Sequence, residues 1–428
     1  MKKSVNKNKF HLCLATMGFL LAGCFSPLDY RDDANTTISI SLPGGGPAQK
    51  NEVQGGELPI LKSIDNPNSL RYEIVFTGPG GKTITRNAGY GDTVAIQAAP
   101  GLWNIDVTAF GTPSPTGPSG QTTIEAVGEA LNVNVKAGKL NNIPIKMAKY
   151  MEIDASTWSA FRDEVISDAR PYDVFAVVTG GMTAPYTTDT VTIYFNSKTV
   201  TIAAKNNATL MLNNPSGNLF DVANGCRLIL GSRNPKYNKD VTLMSYNYNS
   251  TIHIESGGSF TMNSGTISGN TYMVDGGGVY IEGGGTFTMN GGLISGNGNI
   301  HTKGGGVYNS GTFFMNGGEI TGNTSSTYFG AGVYNAGAFY MSGGAYIGQD
   351  NDVYLGASAE YVMYKITVTG TLTRNPAAII TPTYYDPPGL QVIAGRLDQS
   401  PKFQVTPGGI GAPQNYYIDG SGRLQPGP

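Results

Sequence analysis

Glu255 and Glu282 stand 27 positions apart, each directly after an apolar–polar–apolar triplet, Ile252-His253-Ile254 and Val279-Tyr280-Ile281. Two carboxylates in a common register could serve as an acid/base pair for glycosidic chemistry. The same spacing suits a solvated corner repeated between structural units, and that is the expectation here. His253 and His301 occupy different positions in the surrounding pattern, which excludes a His-rich metal site. Arg233, Lys236, Lys239 and Asp240 share the polar stretch 232–240. They could hold an anionic sugar in a lyase, but a charged surface loop is the expected role. Gly78-Pro79-Gly80-Gly81-Lys82-Thr83 imitates a phosphate loop, yet the glycine required five residues before Gly81 is Phe76, so a hairpin turn is expected. Cys226 lies in an apolar run and reads as a small buried residue. No catalytic constellation emerges, and no metal or cofactor is expected.

The elements that position these residues repeat. A methionine recurs at 262, 289, 315 and 341, an isoleucine at 267, 294, 320 and 347, and an apolar residue at 252, 279, 307 and 333. A period of 26 to 28 residues marks a solenoid or a propeller-like array. Each unit holds three short β-like runs, for example Val279-Tyr280-Ile281, Phe287-Thr288-Met289 and Leu293-Ile294-Ser295, too few for a four-stranded blade. Three strands per coil, stacked at the inter-strand spacing of ~4.8 Å, satisfy the period. Alternation then sends Phe260, Phe287, Phe313 and Phe339 inward, with the methionine and isoleucine columns. Asn270, Asn297, Asn323 and Asp350 are expected to form a polar ladder closing each coil. Outward, Tyr280, Tyr308 and Tyr334 form one row with His253 at its head, and Thr261, Thr288, Phe314 and Tyr340 form another. These five aromatics are the candidate binding face.

The Gly-Gly-x-Val-Tyr and Phe-x-Met-Asn-Gly-Gly-x-Ile-Ser-Gly-Asn units resemble the repeats of autotransporter-type adhesins and polymorphic outer-membrane proteins. That resemblance implies a right-handed parallel β-helix. The expected fold is therefore all-β: an N-terminal β-sandwich over 36–149, then a three-sided right-handed parallel β-helix over 150–428. A short capping helix occupies 154–169, with Ser156 as N-cap and Pro171 as stop; regular coils span 252–350, and C-terminal coils and a cap span 351–428. The sandwich rests on seven alternating runs, from Thr37–Ser41 to Ile143–Met147. Its Pro100-Gly101-Leu102-Trp103 turn resembles those of Ig-like or fibronectin-like modules. Glycine- and proline-rich segments at 42–68 and 110–124 read as long loops.

Residues 1–24 read as an export signal: lysines at 2, 3, 7 and 9, an apolar core from Leu12 to Leu20, then Leu21-Ala22-Gly23-Cys24. The last four resemble a bacterial lipobox, which implies lipidation at Cys24 and a tether over 25–35. The resemblance places the chain at the outer membrane or cell surface, attached through its N-terminal lipid. A net charge of −2, with 14% charged residues, gives no footprint for nucleic acid. The expected role is a lipid-anchored, adhesin-like binding protein for a glycan or another surface protein, without catalysis. A polysaccharide lyase or glycoside hydrolase, and a passive surface scaffold, are the alternatives, because β-helices carry all three.

Overall fold

The computed structural model describes residues 36–42, 69–111, 123–166, 172–184, 191–193, 197–212, 217–246, 249–271, 275–298, 301, 303–325, 329–358, 362–385, 389–407 and 415–427. The expected export signal, Cys24, the expected tether and most of the two expected long loops lie outside them. The described chain is all-β, 6% helical, and its larger part is a parallel β-solenoid of about eight turns. Three sheets run along the solenoid. The first carries the Phe-x-Met strands, such as Thr286–Met289; the second the Val-Tyr strands, such as Val279–Ile281; the third the Ile strands, such as Leu293–Ser295.

The register follows the repeat. Phe260, Phe287 and Phe313 pair in turn with Phe287, Phe313 and Phe339. Their rings stack at 4.9, 4.8 and 4.8 Å. All four phenylalanines are fully buried, as are the four methionines and four isoleucines of their columns. The solenoid core extends without a break from Ile153 to Leu424.

The polar ladder differs in one member. Backbone N–H groups of Asn270, Asn297 and Asn323 donate to the side-chain oxygens of Asn297, Asn323 and Asn351 at 3.3, 3.1 and 3.2 Å. Asn351, not Asp350, is therefore the fourth rung. The last unit has one extra residue between its isoleucine and this corner. Asp350 turns outward and accepts from the Thr321 hydroxyl instead. Two further asparagines, Asn309 and Asn335, take the inward position held by Ile254 and Ile281. They are fully buried, and the Asn309 amide donates to Asn335 at 2.8 Å.

Upstream, two sheets share one apolar core. Strands Thr93–Gln97, Thr37–Ser41 and Leu140–Asn142 form one; strands Thr83–Gly89, Arg71–Thr77, Gly101–Phe110, Ile124–Val135 and Met147–Ile153 lie in the other. Ile38, Ile40, Ile74, Phe76, Trp103 and Ile105 meet between them. The phosphate-loop imitation is the hairpin turn between Arg71–Thr77 and Thr83–Gly89. In the run expected as a strand over 143–147, the Ile143 N–H donates to the Ser39 oxygen at 2.9 Å and the next strand opens at Met147; Pro144 between them has no N–H to give a ladder.

Strand Met147–Ile153 pairs antiparallel with Ile124–Val135 and parallel with Val174–Val178, the first strand of the solenoid. One 14-stranded sheet thus runs from Thr83–Gly89 to Ile393–Gly395. Helix Trp158–Ile166 follows this joining strand and sinks Trp158, Phe161 and Val165 into the solenoid core. At its start the Asp154 carboxylate accepts from the Ser156 and Thr157 N–H groups, so Asp154 takes the role expected of Ser156. The last residues of the expected helix, 167–169, and its expected stop, Pro171, lie outside the described residues. Within the helix Glu164 is buried, and it accepts from Lys149 Nζ at 2.9 Å and from the Tyr172 hydroxyl.

The polar stretch 232–240 is a fastener. Tyr237 is buried and packs on Phe175 at 5.2 Å and Tyr150 at 5.9 Å, over the outer surface of the long sheet. From the same loop Asn234 donates to Asp106 at 3.1 Å, and Lys236 pairs with Glu73 at 2.9 Å. Both acceptors belong to the upstream strands. Lys236, one of the candidate sugar ligands, is thus occupied in holding the two parts together, and Asp240 accepts from the Gly265 N–H.

Candidate binding face

The tyrosine row is built by the coil geometry. Val279, Val307, Val333 and Val353 are fully buried, so the residue after each faces outward. Their register aligns Tyr280, Tyr308, Tyr334 and Tyr354 on the second sheet. Successive rings stack at 4.9, 5.0 and 5.1 Å, with interplanar angles of 0°, 6° and 17°. Tyr354 was not foreseen because its unit is short: 20 residues separate it from Tyr334 instead of 26.

The first glycine of each Gly-Gly-Gly run, and of Gly330-Ala331-Gly332, helps the row to fit. Gly276, Gly304 and Gly330 adopt φ of 62°, 57° and 64°, where an L side chain is strained. A Cβ on Gly276 would come within 2.9 Å of the Tyr308 Cβ, one on Gly304 equally near the Tyr334 nitrogen, and one on Gly330 equally near the Tyr354 Cβ. The oxygen of the valine three residues on lies nearer still, at 2.6, 2.2 and 2.2 Å, so each glycine serves its own turn as well as leaving room for the tyrosine one coil on. From the neighbouring loops Phe329 leans on Tyr334 and Tyr354, and Lys303 Nζ lies 5.4 Å from the Phe329 ring centre and 5.5 Å from that of Tyr334.

Phe314 and Tyr340 stack at 4.8 Å on the first sheet, after Thr261 and Thr288. The five candidate aromatics therefore lie on two sheets: Tyr280, Tyr308 and Tyr334 on one, Phe314 and Tyr340 on another.

Charge gathers at the head of the tyrosine row. His253 precedes Tyr280 in register, and Asp221 precedes His253. The His253 ring meets Asp221 through Nδ1 at 2.6 Å and Glu282 through Nε2 at 3.2 Å. Its hydrogen bond to Asp221, helped by both carboxylate charges, lifts the imidazole above its ordinary 6.5 despite burial. Glu255 stands one coil before Glu282, but Glu282 turns back to His253 and accepts from the Ser256 N–H at 3.2 Å. Burial, then Asp221, raises the Glu255 carboxyl. Asp221 was hidden from the repeat because its coil is irregular: 32 residues separate it from His253. The visible signal was the in–out–in triplet Phe220-Asp221-Val222. While protonated, His253 donates through both ring nitrogens to these carboxylates.

This arrangement makes His253 a three-coil clasp with a definite pH dependence. A folded-state pKa raised above the unfolded value gives stability that is complete below about pH 6.5 and is lost as pH rises through the folded value. Thermal unfolding of the parent and His253→Gln, followed from pH 5.5 to 8.5, should therefore show the gap between the two midpoints shrinking as pH rises. A gap that is constant or widens would contradict the clasp.

Among the described residues no group of three or more His, Cys, Asp or Glu side chains could hold a metal, and no helix is long and apolar enough to cross a membrane. Cys226 is buried in the solenoid core, and burial raises its thiol. Comparison with models of protein families, with curated proteins and with solved structures found nothing that matches this chain.

Proposed function

We propose that this chain is a lipid-anchored cell-surface protein that binds a glycan or a protein partner along the side of its solenoid, without chemistry. The observation that carries the reading is the tyrosine row: four aromatic residues held rigid by mutual stacking, outward and half-buried, over successive coils. A rigid phenol offers contact area with little entropy to lose on binding. In this reading the solenoid is a right-handed, three-sided β-helix, the helix Trp158–Ile166 covers its first coil, and the upstream sheets form an Ig-like sandwich. The Cys24 lipid would attach the whole to the outer membrane or cell surface. The fastening loop and continuous sheet support a solenoid held in fixed orientation to the upstream sheets.

Two experiments test this. Replacing Tyr280, Tyr308 and Tyr334 by serine, in protein beginning after Cys24, should abolish binding to whatever a glycan array returns while circular dichroism stays unchanged. Undiminished binding by the folded variant would reduce the row to a structural ladder. Cys24→Ser should end palmitate labelling and move the chain from the membrane to the soluble fraction; unchanged labelling would refute the anchor.

A further inference from the structure

The stacking that makes the tyrosine row rigid also hides its ring faces. Tyr308 and Tyr334 are each covered on both sides by neighbours in the row. Tyr280 is covered by Tyr308 on one side and met by the His253 ring at 5.5 Å and 61° on the other. Tyr354 carries Tyr334 on one face, with Phe329 at 5.6 Å. A sugar cannot lie flat on rings already stacked on one another. What the row presents is its edge: phenolic hydroxyls, each both donor and acceptor. Among the described residues none of the four hydroxyls has a hydrogen-bond partner, and none is sealed from solvent.

Charge narrows the ligand further. Among the described residues, Asp221 and Glu282 flank His253 at the head of the row, with Glu255 and Asp275 close by, while Lys303 lies farther along beside Tyr334. An excess of carboxylates repels a polyanion. Resting on the reading that this side of the solenoid is the binding face, we infer that its ligand is a neutral linear polysaccharide lying parallel to the solenoid axis. The hydroxyl row meets it edge-on, by hydrogen bonds. The repeat of the row is close to the length of one pyranose ring, so successive sugars meet successive tyrosines. Four tyrosines provide four such subsites.

The test uses the full chain in detergent, with oligomer series of mannan, xylan and mixed-linkage glucan, and polygalacturonate as the acidic polymer. One neutral series should bind, with affinity rising up to about four sugars and then levelling, as each tyrosine hydroxyl adds one modest hydrogen bond. Changing Tyr280, Tyr308 and Tyr334 to phenylalanine keeps the stack and removes three hydroxyls; it should weaken binding about tenfold or more. Binding that survives the phenylalanine change, a preference for polygalacturonate, or no binding of any neutral series would each overturn the inference. The serine variant separates this failure from failure of the underlying reading. If serine abolishes binding of a polyanion or a protein, the face stands and only its ligand was misassigned. If serine leaves all binding intact, the face itself is wrong.

Discussion

Phe287→Ala will cost the solenoid about 3–5 kcal/mol, while Thr288→Ala, one residue along the same strand, will cost under about 1 kcal/mol. Phe287 is fully buried and stacked between Phe260 at 4.9 Å and Phe313 at 4.8 Å. Its removal leaves a cavity bounded by two rigid rings that cannot close over it, and cavities that cannot collapse are the costly ones. Thr288 lies outward between Thr261 and Phe314, where truncation opens no void. Chemical denaturation of the two variants measures both losses. Equal losses would mean that the facing of this strand, and with it every inward column, has been misread.

Gly305→Ala is expected to be comparably damaging, at about 3 kcal/mol, for the opposite reason. A Cβ there would lie 2.0 Å from the Thr324 backbone oxygen and 3.0 Å from that of Asn297. Both obstacles are backbone of neighbouring coils, so neither can rotate aside. The coils must part locally, straining the hydrogen bond from the Gly278 N–H to the Gly305 oxygen at 3.2 Å. Gly283→Ala provides the control, since the nearest atom is the Ser310 oxygen at 3.9 Å. It should fall within about 0.5 kcal/mol of the parent. Thermal or denaturant midpoints of the pair decide the matter: if Gly305→Ala is as benign as Gly283→Ala, close coil stacking at this corner is not what the glycine runs provide.

The solenoid was legible in the sequence wherever the repeat held its length. Columns through Phe287, Met289 and Ile294 could be placed because the units from 252 to 347 recur every 26 to 28 residues and side chains alternate along each strand. Insertion and deletion blurred the same pattern. One extra residue moved the fourth ladder rung from Asp350 to Asn351, and a short unit concealed Tyr354. An irregular coil concealed Asp221, the partner that gives His253 its role. Tertiary partners were illegible for a different reason. Nothing in Asn234-Pro235-Lys236-Tyr237 announces that Lys236 pairs with Glu73, 163 residues earlier, or that Tyr237 is buried against Phe175. A polar loop on paper became a fastener only once the long sheet brought both parts to it. Alternation likewise showed that the tyrosines point outward, but not that their faces are spent on one another. That fact turns a stacking platform into a row of hydroxyl edges.

The central claim is that the tyrosine row on the second sheet is where a ligand lies. Amide hydrogen exchange on the full chain, with and without the polymer it binds, tests it most directly, because protection reports which coils a ligand covers. Slowed exchange should concentrate in 275–282, 303–310, 329–336 and 352–356, the segments around Tyr280, Tyr308, Tyr334 and Tyr354. Protection confined to 36–149, or to the strands of Phe314 and Tyr340 with none along the tyrosine row, would contradict it.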